Sequence, residues 1–158
     1  MDYTKGRNLI VAANIVKNKW ITSAGIESGS TKCASTEYIP VISGGQLTIQ
    51  YWQPENTNTG TNRAWSGRVL FFDESKTYLG GYYGEYFETE HFVRTVTIPD
   101  NCAYVRATYQ APVQYWNTWN EWGIHSDLKW MLEYGSEATE WRPAPEDVVD
   151  INEGGWCS

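Results

Sequence analysis

Hydrophobic and polar residues alternate with a period of two along most apolar segments of this chain. In residues 46–52, Leu47, Ile49 and Tyr51 share one face of an extended strand, and the other face carries polar residues up to its end. The same reasoning predicts strands at 91–98, 104–110 and 129–133, and a short strand buried on both faces at 68–73. No stretch carries the 3.6-residue period of a sustained amphipathic helix.

Polar, turn-forming segments separate the predicted strands and serve as connectors. They lie at 27–32, 53–62 and 80–90. Several short strands at such spacing are typical of all-β folds, so we expect one antiparallel all-β domain, a β-sandwich or a barrel. Periodicity disappears after Trp141, which predicts a domain over residues 1–145 and a linker or tail over residues 146–158.

The aromatic content and the net charge of the chain limit the classes of function that we expect. The chain of 158 residues contains nine Trp and eleven Tyr, which is more large rings than a core of this size needs. Its net charge of -7 argues against nucleic acid as a partner, and its apolar runs are too short to span a membrane. Three cysteines without C-x-x-C spacing do not indicate a zinc cluster, and we expect them to be reduced.

Four segments of the sequence resemble a known family. They are residues 6–10 (GRNLI), 71–76 (FFDESK), 98–106 (IPDNCAYVR) and 132–147 (LEYGSEATEWRPAPED). In this order they are similar to motifs of carbohydrate-binding jelly-roll modules that recur in tail, distal-tail and baseplate proteins of phages infecting Gram-positive bacteria. The segments at 53–62 and 116–122 have no counterpart in that pattern.

The resemblance implies a jelly roll with its termini close together, and a function in binding rather than catalysis. The ligand would be a host cell-surface polysaccharide, bound during phage adsorption by a module of a larger tail or baseplate protein. That protein would be in the virion or extracellular, and its other domains would be further partners. No cofactor is expected, although similar jelly rolls often carry a structural calcium ion, for which no ligand residue is identified. Fold does not fix function, so two alternatives stay open, a structural spacer of a tail protein and the binding module of a glycoside hydrolase or endolysin.

Sugar binding needs flat rings that stack on pyranose C–H faces and planar polar groups that bond pairs of hydroxyls. Alternation places Gln50 and Trp52 opposite the core-facing residues of their strand. The same reasoning places Tyr104, Arg106 and Met131 opposite the core in theirs. We expect these five residues to line the concave outer surface of one sheet. The alternative is that Trp52 packs under a loop and Arg106 pairs with a surface acid.

Two further aromatic segments are candidate parts of the binding site. Trp116, Trp119 and Trp122 follow one another at a spacing of three, which suits a helical turn or an aromatic loop rim. Tyr82 and Tyr83 lie among glycines that leave rings accessible. Some of these rings could instead close the end of the core.

Catalysis by paired carboxylates, as in glycosidases, is the enzyme alternative. The chain has no Gly-x-Ser-x-Gly motif, and its two histidines are too isolated to suggest a metal or a triad. Acidic residues are available but fall in no recognisable catalytic arrangement, and we expect no enzyme activity. The acids that could pair are Glu85, Glu88, Glu90, Glu121 and Asp127.

Overall fold

A computed structural model of the chain describes residues 6–52, 65, 68–86, 89–110 and 129–148. A short 3₁₀ helix at Ala12–Asn14 precedes the strands, and residues 145–148 form one helical turn. The strands in this part of the chain are β1 (Val16–Ile21), β2 (Glu27–Ser35), β3 (Ile39–Pro40), β4 (Gln46–Trp52), β5 (Val69–Phe72), β6 (Tyr78–Tyr82), β7 (His91–Thr97), β8 (Tyr104–Gln110) and β9 (Lys129–Tyr134).

The strands form two antiparallel sheets. The large sheet has the order β1-β2-β8-β5-β6, with β3 also paired to β8, and the small sheet has the order β7-β4-β9. All strand pairs are antiparallel. The predicted all-β sandwich is therefore confirmed, whereas the jelly-roll connectivity remains a prediction.

The core between the two sheets is built from the residues that alternation predicts. Leu47, Ile49 and Tyr51 of β4 are fully buried, in one cluster with the inward side chains of β8 and β9. The Tyr51 ring stacks on Tyr109 with centroids 4.3 Å apart and lies 5.9 Å from Trp130. These rings bury the large apolar area that the few aliphatic residues cannot supply.

A second, smaller core lies on the outer face of the large sheet, the face turned away from the small sheet. It contains Ile21, Leu70 and Phe72, all fully buried. Ile21 belongs to β1 and Leu70 to β5, and β2 and β8 lie between these strands in the sheet. The end of the β1–β2 hairpin therefore folds over the outer face, which explains why β5 is buried on both sides, as predicted.

Asn8 joins the beginning of the chain to its end. Its side-chain amide donates to the carbonyls of Trp130 and Arg142, at 3.1 and 3.0 Å. Its side-chain oxygen accepts from the amides of Ile10 and Leu132, at 3.0 and 3.2 Å. Three of these contacts join the N-terminal segment to β9 and to Arg142, and the fourth, with Ile10, lies within the N-terminal segment. This buried residue therefore fixes the N-terminal segment against β9 and the segment that follows it.

Further contacts join the two ends of the domain as far as residue 147. We call the contacts of Arg7, Asn8, Ala12 and Ala13 with β9 and residues 142–147 the terminal clamp. Arg7 pairs with Glu146, and the Asp147 carboxylate accepts from the Ala12 and Ala13 amides at 2.7 and 3.2 Å. The expected closeness of the two ends is thus observed within the described residues. Glu146 and Asp147 thus contact the N-terminal part of the predicted domain, and the boundary at 145 stays a prediction.

Two strands lie where polar connectors were predicted. β2 begins at Glu27, and its first half is mostly exposed, so no alternation of apolar residues marks it. β6 contains Gly80 and Gly81, which disfavour strands in general. A Cβ atom at Gly81 would come within 2.2 Å of the Val69 carbonyl oxygen, so the close pairing of β5 with β6 requires glycine there.

Candidate functional site

The five residues expected on one concave surface lie on two different sheets. Gln50, Trp52 and Met131 are on the outer face of the small sheet, in β4 and β9, whereas Tyr104 and Arg106 are in β8 on the outer face of the large sheet. The prediction of one shared surface is therefore wrong. Alternation shows which side of its own sheet a residue faces, but it does not show which sheet the strand joins.

Gln50 is buried in a polar network rather than presented to solvent. Its Nε2 donates to Glu133 Oε2 and to the Thr139 carbonyl, both at 2.9 Å, and its Oε1 lies 2.8 Å from His91 Nε2. Because both amide hydrogens are used, Oε1 is an acceptor and His91 Nε2 carries the hydrogen. Glu133 also accepts from the Thr139 hydroxyl at 2.7 Å.

Trp52 lies directly across from His91 and stacks on it. The ring centroids are 4.9 Å apart and the planes differ by 10°. Partial desolvation lowers the pKa of His91, so the ring is neutral at pH 7. The neighbouring Met131 is fully buried, and Lys129 places its ammonium 5.0 Å from the Trp141 ring. Trp52 is half-buried and remains a candidate contact, whereas Gln50 and Met131 do not offer the accessible surface predicted for them.

Arg106 is buried under the β1–β2 hairpin. Its Nε donates to the Thr36 carbonyl at 2.9 Å and its Nη2 pairs with Glu27 at 2.8 Å. Tyr104 is half-buried next to Tyr38, with ring centroids 5.9 Å apart. The alternative considered for Arg106, pairing with a surface acid, is thus observed, with Glu27 as the acid. Arg106 holds the hairpin instead of facing solvent.

Tyr82 and Tyr83 point to different surroundings. Tyr82 is half-buried against the main core, and its hydroxyl donates to Glu85 at 2.6 Å. It helps to line a cleft of about 320 Å³ between β6 and β7, the edge strands of the two sheets. Tyr83 is 46% exposed, and its hydroxyl lies 2.6 Å from that of Tyr78.

The remaining sequence candidates lie outside the described residues. This holds for Trp116, Trp119 and Trp122, whose part in binding stays a prediction. It holds also for three of the acids considered for catalysis and for one of the two histidines, namely Glu88, Glu121, Asp127 and His125.

A second aromatic cluster, which sequence reasoning missed, lies on the outer face of the large sheet. We call it the Trp20–Arg68–Trp65 cluster, and it comprises these three residues and Tyr86. Trp20 meets Trp65 edge to face with centroids 6.2 Å apart, and Tyr86 lies 6.5 Å from Trp65. The Arg68 guanidinium carbon lies 4.7 Å from the Trp20 ring and 5.1 Å from the Trp65 ring. Both indoles are half-buried, and Tyr86 is 40% exposed.

Strand register brings this cluster together. Trp65 pairs with both Gln110 and Tyr86, and Gln110 pairs on its other side with Cys33. Directly paired residues point to the same side of a sheet, so these four side chains form one row across the outer face. Trp20 comes from the β1–β2 hairpin, which folds over that face.

The hairpin turn is held in place by close contacts with neighbouring strands. The Thr22 amide donates to the Ile26 carbonyl at 2.8 Å, and Gly25 has a φ of +80°. A Cβ atom at Gly25 would lie 2.8 Å from the Tyr78 ring, so glycine allows the turn to rest on that ring. Arg68 adds a bond from Nη1 to the Ile21 carbonyl at 3.0 Å.

The electrostatic environment of Arg68 is unusual for a surface arginine. Burial lowers its pKa, an effect partly opposed by Tyr78, Cys33 and Tyr83, which lie close enough to interact with it. Its Nε is buried and has no hydrogen-bond acceptor within the described residues. Among the described residues, the guanidinium contacts two rings and one carbonyl, and most of its N–H donors have no acceptor there.

Sequence reasoning missed this cluster for a physical reason. Trp20 follows the polar run Lys17-Asn18-Lys19 and does not extend an apolar alternation, and Trp65 follows the polar segment 53–62, which predicts a connector. The available signal was the excess of rings over the needs of the core, which predicts a second cluster but not its members. Their meeting depends on the fold of the β1–β2 hairpin over β5, a tertiary contact that no local pattern encodes.

Other site chemistry is sparse in the described part of the chain. No group of three or more His, Cys, Asp or Glu side chains there is arranged to hold a metal ion. Cys33 and Cys102 are buried free thiols, and Cys157 lies beyond the described residues. Within the same ranges, no helix has the length and apolar character needed to cross a membrane. Comparison with protein-family models, curated proteins and solved structures finds no match to this chain.

Proposed function

We propose that this protein is a non-catalytic glycan-binding module and that it binds sugar at the Trp20–Arg68–Trp65 cluster. The observation that carries the proposal is the cluster itself. It places indole, phenol and guanidinium groups together outside both hydrophobic cores, partly open to solvent. Rings of this kind stack on pyranose faces, while a planar guanidinium donates to neighbouring hydroxyls.

The proposal extends to the context that the sequence resemblance implies. The module would belong to a larger phage tail or baseplate protein and bind host cell-surface polysaccharide during adsorption. Two of the motifs behind the resemblance, at 6–10 and 132–147, meet in the terminal clamp. Their contact supports a single domain that extends from residue 6 to residue 147, as the resemblance requires.

Glu85, one of the described acids considered for catalysis, is not suited to the general-acid role of a glycosidase. Glu85 accepts from Tyr82 and pairs with Arg94, and these partners, Tyr82 first, lower its pKa. A carboxylate held ionised in this way is a poor general acid, and a glycosidase needs one that stays protonated. A structural spacer remains the second candidate, but it would need no partly exposed cluster of rings.

A shallow site of this type predicts weak binding by one domain. A few stacked rings and solvated hydrogen bonds correspond to affinities on the order of micromolar to millimolar. Display of many copies on one particle would raise the avidity by roughly 10²- to 10⁴-fold without any new contact.

An array of purified bacterial surface polysaccharides tests the proposal. We expect concentration-dependent binding of the isolated domain to at least one polysaccharide, with no new reducing ends after prolonged incubation. Binding to none of them would favour the spacer, and release of reducing ends by pure protein would show that the domain is an enzyme.

A further inference from the structure

Arg68 differs from three other described arginines in its partners. Arg7 pairs with Glu146, Arg94 with Glu85 and Arg106 with Glu27. The part of the chain that the structure describes offers Arg68 no carboxylate. Its one hydrogen bond to protein there is the bond from Nη1 to the Ile21 carbonyl.

The position of Arg68 is costly without a further partner. The side chain is half-buried between two indoles, and its buried Nε has no acceptor among the residues that the structure describes. Placing a cation where water is partly excluded disfavours its charged form, in agreement with the lowered pKa of Arg68. Buried polar groups are normally satisfied, so an unsatisfied one at a partly open surface calls for a ligand or another explanation.

We propose that Arg68 binds an anionic group, a carboxylate or a phosphate, of an acidic glycan whose sugar ring packs on Trp20, Trp65 or Tyr86. The inference rests on the proposed function and adds the ligand class to it. A guanidinium matches carboxylate and phosphate oxygens in a two-bond geometry that an ammonium does not provide. The hydroxyl of Tyr83, an exposed residue, lies near enough to interact electrostatically with Arg68 and adds a second polar group to the same surface.

The net negative charge of the domain makes Arg68 a stronger indication of an anionic ligand. A net charge of -7 repels anions in general, so an acidic polymer needs a local cation to bind. A neutral sugar would stack on the same rings but leave the guanidinium donors without an anion. Ligand charge is therefore the property that distinguishes this inference from glycan binding as such.

The first experiment varies the ligand and leaves the protein unchanged. The probes are polygalacturonate, its carboxyl-reduced neutral derivative, and a poly(glycerol phosphate) chain, each titrated at low and at moderate salt. We expect at least tenfold tighter binding of one or both acidic probes than of the neutral polymer, with an affinity that falls as salt rises. The acidic probe that binds identifies the anion as carboxylate or phosphate.

The second experiment uses three variants, of which Arg68→Met and its control Arg142→Met have the same net charge. Arg68→Met should weaken binding of the acidic probe at least tenfold, and Arg68→Lys should restore only part of the loss. The control is Arg142→Met, because the terminal clamp uses the Arg142 carbonyl and its side chain is exposed. Arg142→Met should change the affinity less than twofold, and melting temperatures report whether each variant is folded.

The outcomes separate this inference from the proposed function. Binding of both acidic probes no tighter than that of the neutral derivative, or an unchanged affinity of folded Arg68→Met, would overturn the anionic ligand while leaving a glycan-binding module. If Arg68→Met does not fold, the comparison of acidic with neutral probes still decides. Binding of none of these probes, with neutral glycans bound on the array, would also overturn it. Absence of any glycan binding would refute both proposals.

Discussion

The amide of Gln50 is the centre of a buried polar network on the outer face of the small sheet. It donates to Glu133 and to the Thr139 carbonyl and accepts from His91. Glu133 is fully buried, so its carboxylate depends on the Gln50 amide and on the Thr139 amide and hydroxyl as donors in place of water.

Replacing Gln50 by Leu should therefore lower the free energy of unfolding by about 1–3 kcal/mol, the cost of leaving such groups unsatisfied. Gln46→Leu is the matched control, because Gln46 lies on the same face of β4 but is exposed, and it should change stability by less than about 0.5 kcal/mol. Urea unfolding of both variants measures the effect, and equal midpoints would show that the network contributes nothing.

Cys33 gives the domain a dependence on alkaline pH. Burial raises the pKa of its thiol to about 11, from an ordinary value of 9.0. The folded state therefore keeps a proton that the unfolded state loses between these values. The protonated Cys33 thiol therefore contributes to the free energy of unfolding, on the order of 2–3 kcal/mol. This contribution is complete below pH 9 and is lost as the pH rises to 11.

We expect the urea midpoint of the native protein to fall between pH 8.5 and 11, and to fall less steeply in Cys33→Ala. Buried Tyr51, whose pKa is also raised by burial, contributes in the same direction to both proteins, so only the difference in slope reports on Cys33. Identical slopes would mean that the thiol ionises equally in the folded and unfolded states.

At the scale of elements, the terminal clamp depends chiefly on Asn8. Asn8→Ala would remove four hydrogen bonds and leave two amides and two carbonyls short of a partner. We expect a loss of about 3 kcal/mol or more, since several groups lose a partner at once. Asn14→Ala is the control, an exposed residue in the 3₁₀ helix, and should melt like the native protein. A similar melting temperature for both variants would contradict the role given to the clamp.

Strands were predictable where one face is buried and the other is polar. β4 and β8 begin and end at the predicted residues because their inward side chains supply the core. β2 and β6 were not predictable, since the former is exposed over its first half and the latter depends on glycines. Gly81 is required by the approach of Val69, which is a contact between strands and not a property of the β6 sequence.

On the scale of the whole molecule, the four motifs behind the resemblance have structural roles. Residues 6–10 and 132–147 meet in the clamp. In 71–76 the Asp73 carboxylate accepts from the amides of Ser75 and Thr77, which shapes the β5–β6 turn. In 98–106 a turn leads into β8 and its core residues. Such motifs predict a fold, and none of them contains a residue of the Trp20–Arg68–Trp65 cluster.

The sequence predicts the type of binding site but not its position on the fold. An excess of rings indicates an aromatic surface, but its position depends on which sheet each strand joins and on how the β1–β2 hairpin folds. Trp52 and Trp20 show the difference, because Trp52 lies on the outer face of the small sheet and Trp20 belongs to the surface of the large one.

The location of the binding surface is tested most directly by the tryptophan indole N–H signals in a ¹H–¹⁵N NMR titration. The chain has nine tryptophans, and each gives one signal that single replacements can assign. On addition of a polysaccharide selected on the array, we expect the signals of Trp20 and Trp65 to shift or broaden, while those of Trp52 and the core residue Trp130 stay in place. Shifts confined to Trp52 or to the tryptophans of residues 116–122, with Trp20 and Trp65 unchanged, would contradict the account.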